Sequence, residues 1–155
     1  MIKLSDKTIA AIEENATRYP DRNSVLMFGL WKAQEELGHL SPEAIEAVAE
    51  AVRVPRAKAQ GVATYHSLYW KKPVGENVIM LCTNVACTLM GAETILEHIE
   101  NRLGIKEGHT TPDGKFTLQE VECIGSCGYG PAMVINETFY FDLTINKIDD
   151  ILAKL

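Results

Sequence analysis

Val78-Ile79-Met80-Leu81-Cys82-Thr83-Asn84-Val85-Ala86-Cys87 is the stretch whose reading decides the fold. Its first residues form a short apolar run of the kind a buried strand shows, and the run ends on a cysteine. Further on, Ala92, Ile95, Leu96, Ile99 and Leu103 recur at helical spacing, and Gly104 stands where a left-handed cap belongs. The helix is predicted to start near Thr88, with the positive end of its dipole toward Cys87. A strand, a cysteine loop and an amphipathic helix in succession open a sheet covered by helices.

The pattern continues toward the C-terminus. Pro112-Asp113-Gly114 reads as a turn, and Phe116 to Cys123 as a strand with imperfect alternation. Ala132 to Ile135 reads as another strand, with Asn136-Glu137 turning into Phe139-Tyr140-Phe141. Thr144 caps a last helix whose Ile148, Ile151, Leu152 and Leu155 share one face.

Upstream, the polar segment from Lys71 to Asn77 carries Pro73 and Gly75 and marks a boundary. It predicts two domains, residues 1–72 and 77–155. Before it the periodicity is helical. Ser5 caps a segment with Ile9, Ile12, Ala16 and Tyr19 before Pro20. Leu26, Leu30, Ala33 and Leu37 form a second stripe, closed by Gly38. Ser41-Pro42-Glu43 is a helix start with a capping hydroxyl, Pro at the first position and an acid in the first turn. Ile45, Val48 and Val52 follow it, and Pro55 opens a shorter helix through Val62. Short connections make these a small antiparallel bundle. Tyr65, Tyr69 and Trp70 near its end are expected to pack against the second domain. The fold class is therefore α/β (α+β), a helical bundle followed by a sheet domain.

The composition bounds the function. A chain of 155 residues, 46% hydrophobic and 23% charged, is long enough for a proper core. A net charge of −6 argues against nucleic acid as the main partner. No apolar run approaches the ~20 residues of a membrane span, and the N-terminal segment lacks a signal-peptide core. The expectation is a cytoplasmic protein with no direct membrane insertion.

All 4 cysteines fall into two pairs, Cys82/Cys87 and Cys123/Cys127, with no Lys, Arg, Asp or Glu between paired members. In a reducing compartment structural disulfides are disfavoured. Four thiolates in two short loops suit a [2Fe–2S] cluster, with Cys82 and Cys87 on one iron and Cys123 and Cys127 on the other. Without nearby cations, backbone N–H groups must stabilise the sulfur, and Gly125, Gly128 and Gly130 let the backbone come close. Zinc is the chemical rival, since C-x4-C and C-x3-C lie near its spacings, and it would make the chain a zinc-stabilised interaction module without redox activity. His39, His66, His98 and His109 are scattered and form no metal triad. Gly125, Gly128 and Gly130 run in the wrong order for a dinucleotide fingerprint.

At these residues the chain resembles the thioredoxin-like [2Fe–2S] subunit of NADH:quinone oxidoreductase, respiratory complex I, and of related NAD-linked hydrogenases and formate dehydrogenases. The likeness rests on Cys82 through Cys87 with Gly91-Ala92-Glu93, on Thr111 through Leu118, and on Glu122 through Cys127 with Gly128 and Pro131. Leu40 through Ile45 and Gly61 through Tyr65 add to it. The resemblance implies a thioredoxin-like ferredoxin domain after the bundle. It implies one [2Fe–2S] cluster on Cys82, Cys87, Cys123 and Cys127. It also implies a flavoprotein partner subunit that binds FMN and NADH, so that neither sits on this chain. The protein would then be peripheral to the membrane of a respiratory complex. Quinone is the implied acceptor, with a hydrogenase or formate dehydrogenase complex as the alternative.

Overall fold

Helix α1, Asp6–Ala16, begins where Ser5 accepts the Thr8 amide on its hydroxyl. That cap is itself anchored, because Ser5 N–H and Oγ–H donate to the Glu36 carboxylate at 2.9 and 2.8 Å. The computed structural model describes residues 2–155; Met1, the first position of the expected first domain, lies outside the described residues. The buried face of α1 is Thr8, Ile12 and Ala16. Ile9 and Tyr19 are exposed, so the expected stripe is turned by one residue, and the helix stops short of Tyr19.

A 3₁₀ turn over Arg22–Val25 leads into α2, Leu26–Leu37, and Gly38 ends it in the left-handed region as expected. Ser41 caps α3, Pro42–Val52, whose Ile45, Val48 and Val52 are buried. The last carbonyls of α3 need partners, and the Arg22 guanidinium donates to Ala51 O and Val52 O at 3.1 and 3.0 Å while pairing with Glu13. Helix α4, Arg56–Tyr65, runs three residues beyond the expected end at Val62. Nothing at Val62 breaks it; His66 turns extended and stops it. Tyr69 is buried in the bundle core and donates its hydroxyl to Met27 O at 2.8 Å, whereas Tyr65 is exposed. Buried Gln34 ties this tail down, donating to Leu68 O and accepting from Trp70 N.

The chain divides into two compact units, one ending at Pro73 and the other starting at Val74. The second is a five-stranded sheet ordered β2-β3-β1-β4-β5. Its strands are β1 Asn77–Cys82, β2 His109–Thr110, β3 Phe116–Val121, β4 Met133–Ile135 and β5 Thr138–Tyr140. β1 and β3 are parallel, and every other pairing is antiparallel. Two helices, α5 Val85–Leu89 and α6 Ala92–Leu103, lie between β1 and β3, and α7, Ile145–Leu152, closes the chain under its Thr144 cap. Ile95 and Ile99 of α6 and Ile148, Ile151 and Leu152 of α7 pack with Ile79, Leu81, Leu118 and Met133 as one core. Alternation along β1 then points Cys82 to the opposite face from Ile79 and Leu81.

In the second unit the elements depart from the expected bounds at β3 and at the helix after β1. The strand expected to reach Cys123 ends at Val121, because Val121 pairs with Cys82, the last residue of β1, and the ladder runs out. The helix expected from Thr88 is two helices. Gly91, at φ 95, breaks the chain in the left-handed region, so Cys87 lies inside the short α5 and the long helix starts at Ala92.

Candidate metal centre

Parallel pairing with Cys82 opposite Val121 makes β1 and β3 leave the sheet at the same end, which is where ligand sites of such sheets form. Thr83 N–H still donates to Val121 O at 3.0 Å, so the two departing chains start side by side. From β1 the chain passes Thr83 and Asn84 into α5, which buries Cys87; Thr88 Oγ1 donates back to Thr83 O at 2.9 Å and tightens this loop. From β3 it passes Glu122 and Cys123, turns at Gly125, and makes a 3₁₀ turn over Cys127–Tyr129 before Gly130 and Pro131 lead into β4.

The four sequence-predicted cysteines come together at this end. All four are free thiols, Cys82 and Cys87 buried, Cys123 and Cys127 exposed. Cys123 and Cys127 have their sulfurs 3.3 Å apart. A disulfide would bring them to about 2.05 Å, and two thiolates about 2.3 Å from one tetrahedral metal stand roughly 3.7 Å apart. The observed separation is too long for a bond and lies nearer to that of two sulfurs able to share one metal. Cys82 is within hydrogen-bonding reach of Cys87, the charge of Cys127 is felt at Cys87 and that of Cys82 at Cys127, so the pairs face each other. Among the described residues no three His, Cys, Asp or Glu side chains gather as around a single ion. The donors come as two plus two, the set that a two-iron cluster takes.

Backbone donors point at sulfur. Gly125, at φ 81, turns its N–H onto Cys123 Sγ at 3.3 Å, and this lowers the Cys123 pKa below the usual thiol value, with the Cys127 thiol helping. Cys127 is pushed up, first by its hydrogen bond to Cys123 and then by the repulsion of that sulfur's charge. Of this pair Cys123 therefore ionises first. Burial raises the Cys87 thiol, as does Cys82, while the Ala132 backbone works in the opposite direction by hydrogen-bonding to its sulfur. Ala132 O in turn accepts from Cys82 N at 3.0 Å.

Of the three glycines singled out by sequence, two act as expected. A Cβ on Gly130 would stand 3.3 Å from Cys87 Sγ, so this loop packs directly on the sulfur. Gly125 supplies the turn, but Gly128 faces open space. Asn84 Nδ2 donates to Glu122 Oε2 at 2.8 Å, a link between the two loops that sequence reasoning missed. Its only local trace is an Asn at a helix start, a residue type that caps. One of the histidines finds a carboxylate: His98 Nε2 lies 3.0 Å from Asp149 Oδ1, joining α6 to α7.

Met90 lies beside Gly130, with its Cβ 3.8 Å from the position of an added methyl. Next to Gly130, Tyr129 packs on Phe141 at 5.9 Å between ring centroids, and Phe141 stacks on Phe139 at 6.0 Å. Leu89, Met90, Tyr129 and Phe139 are all exposed, which leaves an apolar rim beside the exposed thiols.

The family model of the thioredoxin-like [2Fe-2S] ferredoxin matches residues 12–155. The chain is 43% identical over 143 residues to an NADH-quinone oxidoreductase subunit of Rhizobium meliloti (strain 1021), covering 92% of this chain and 85% of that protein. It is 36% identical over 152 residues to the corresponding NADH-quinone oxidoreductase subunit of Escherichia coli (strain K12), covering 98% and 92%. Among solved structures, the NAD+-reducing [NiFe]-hydrogenase in its air-oxidized state matches with a TM-score of 0.70 at 21% identity. That match spans 83% of this chain but 22% of the longer hydrogenase chain, and it speaks for the fold alone. No described helix is long and apolar enough to cross a membrane.

Proposed function

We infer the function from kinship: this chain belongs to the thioredoxin-like [2Fe–2S] ferredoxin family. It is an electron-transfer subunit of the kind found in NADH-quinone oxidoreductase, and it holds one [2Fe–2S] cluster. Cys82 and Cys87 are the ligands of one iron, and Cys123 and Cys127 those of the other. The observation that carries the assignment is the meeting of two thiol pairs, one buried and one exposed, at one end of the sheet. When bound, the cluster supplies a centre that takes up and releases one electron at a time. The chain's own part is to fix that centre and choose its open side. Buried Cys82 and Cys87 anchor it from within, and exposed Cys123 and Cys127 leave it reachable. The backbone of Gly125 and Ala132 stabilises sulfur in place of absent cationic side chains.

The curated relatives are subunits, so the chain works beside other chains. Its neighbour is a flavoprotein that binds FMN and NADH, seated over the exposed thiols. The apolar rim of Leu89, Met90, Tyr129 and Phe139 supports this placement, since exposed apolar side chains beside a polar site are what an interface core uses. The chain takes or stores single electrons from the reduced flavin, either on the path to quinone or beside it. It sits in the cytoplasm at the periphery of the membrane complex, and its two units are separate folding domains joined near Pro73.

The test is metal analysis. The purified protein is expected to be brown, with iron and acid-labile sulfide in equal amounts, about two of each per chain, and paramagnetic after reduction. Colourless zinc-loaded protein that cannot be reconstituted with iron and sulfide would refute the reading. Isolation of the native complex identifies the neighbour, and a partner without flavin overturns that half of the assignment.

A further inference from the structure

We propose that Asn84 and Glu122 form a clasp that holds the two cysteine loops together, and that the Glu122 carboxylate lowers the electron affinity of the centre between them. The inference rests on the ligand assignment above and goes beyond it to residues that touch no metal. Three observations carry it. The first is position: Asn84 lies between Cys82 and Cys87, and Glu122 directly precedes Cys123, so each clasp residue belongs to one loop. The second is geometry: Asn84 Nδ2 donates to Glu122 Oε2 at 2.8 Å, a charge-assisted bond between segments 38 residues apart.

The third is what Asn84 forgoes. It occupies the residue before α5 with φ −69 and ψ 160, the conformation from which an asparagine side chain normally accepts a backbone N–H of the first helical turn. No such cap bond is made, and the amide reaches across to the other loop instead. The contact that fixes the Asn84 side chain is therefore made to the other loop and not to α5. Glu122 receives this bond from a neutral amide, so its negative charge is tied in place but not cancelled. A fixed negative charge next to a ligand opposes the arrival of an electron, and it does so most strongly where the site is shielded from water. Glu122 itself is exposed, so solvent screens part of this effect, and the expected shift is correspondingly small.

Three variants of the full chain separate the clasp from the charge. N84A breaks the clasp and keeps the charge; E122Q keeps an acceptor oxygen and removes the charge; E122A removes both. Iron release to a chelator is expected to be roughly fivefold faster in N84A and E122A, the loss of one exposed charge-assisted hydrogen bond, and unchanged in E122Q. The midpoint potential, followed by electron paramagnetic resonance during a redox titration, is expected to move positive in E122Q and E122A but not in N84A. A purely structural role would leave the E122Q potential where it was. Wild-type release rates in N84A and E122A, or an unmoved potential in E122Q, overturn the inference. The clasp is also read without a cluster: in cluster-free protein, N84A is expected to speed amide hydrogen exchange over residues 122–128, and unchanged exchange sinks the clasp. Wild-type protein that never takes up iron and sulfide counts against the ligand assignment alone, and the exchange measurement still decides the clasp.

Discussion

Cys82 and Cys87 sit inside the second unit, 2% and 1% exposed, whereas Cys123 and Cys127, at the end of the neighbouring strand, are open to solvent. The two pairs are held by different means. Cys82 is the last residue of a central strand, hydrogen-bonded to Ala132 just before β4, and Cys87 is enclosed by α5, Ala92 and the Gly130 loop. The exposed pair has no such enclosure. Its geometry comes from backbone: the left-handed turn at Gly125, the N–H it lends to Cys123, and the 3₁₀ turn that returns Cys127. The difference shows that a site of four like thiols need not be built symmetrically. Tertiary packing secures one half, and local loop geometry shapes the half that is open to solvent.

Removing one of the proposed ligands from each half has the largest expected effect. C87A and C123A should both abolish the visible absorbance of the reconstituted protein, because two-iron clusters need all four thiolates. Cluster-free proteins should then differ. C87A empties space in the enclosed half and is expected to cost about 1–2 kcal/mol, whereas C123A at an exposed position stays within about 0.5 kcal/mol. Urea midpoints measure this, and equal midpoints would erase the distinction between packed and loop-held halves.

A smaller effect is expected from crowding the buried half without touching a ligand. Gly130 has φ −73 and ψ 158, a conformation that any residue adopts, so G130A tests space alone. Its methyl would stand 3.3 Å from Cys87 Sγ and is expected to cost about 1–3 kcal/mol by overpacking, with a reduced iron content per chain. G128A adds a methyl to open space in the exposed half and should hold iron as the wild type does. Equal iron loading in both would mean that the Gly130 loop yields readily and that Cys87 is less tightly enclosed than it looks.

The same contrast explains what could be read in advance. Elements set by local chemistry were legible: Ser5, Ser41 and Thr144 as caps, Gly38 and Gly104 as stops, the strand ending at Cys82, and the grouping of the thiols. Elements set by a distant partner were not. The end of β3 at Val121 depends on where β1 stops, and β2, two residues long, is too short to show any period. The break at Gly91 hid behind the regular stripe from Ala92 to Leu103. The clasp of Asn84 and Glu122 joins residues 38 apart and left only an unused cap as its trace. The candidate ligands were legible because cysteine chemistry needs a count and a spacing; their division into buried and exposed pairs needed the fold.

The smallest expected effect comes from the far end of the strand that delivers the exposed pair. Asp113 sits in the turn before β3, where its carboxylate accepts from the Thr111 hydroxyl and from Lys115 N–H. These bonds hold its pKa below the ordinary value of 3.8, the Thr111 bond contributing most. A carboxylate depressed in the folded state stabilises it above the unfolded pKa, and that stability fades as pH falls through the folded one. Unfolding measured below about pH 4 should therefore show a flatter acid limb in D113N than in the wild type. The absorbance of the cluster at neutral pH should not change, since Gly125 and Ser126 shape the exposed loop locally, at the other end of β3. A D113N protein with an altered cluster spectrum would show instead that the exposed half depends on the whole strand, and the loop-held half of the comparison would fail.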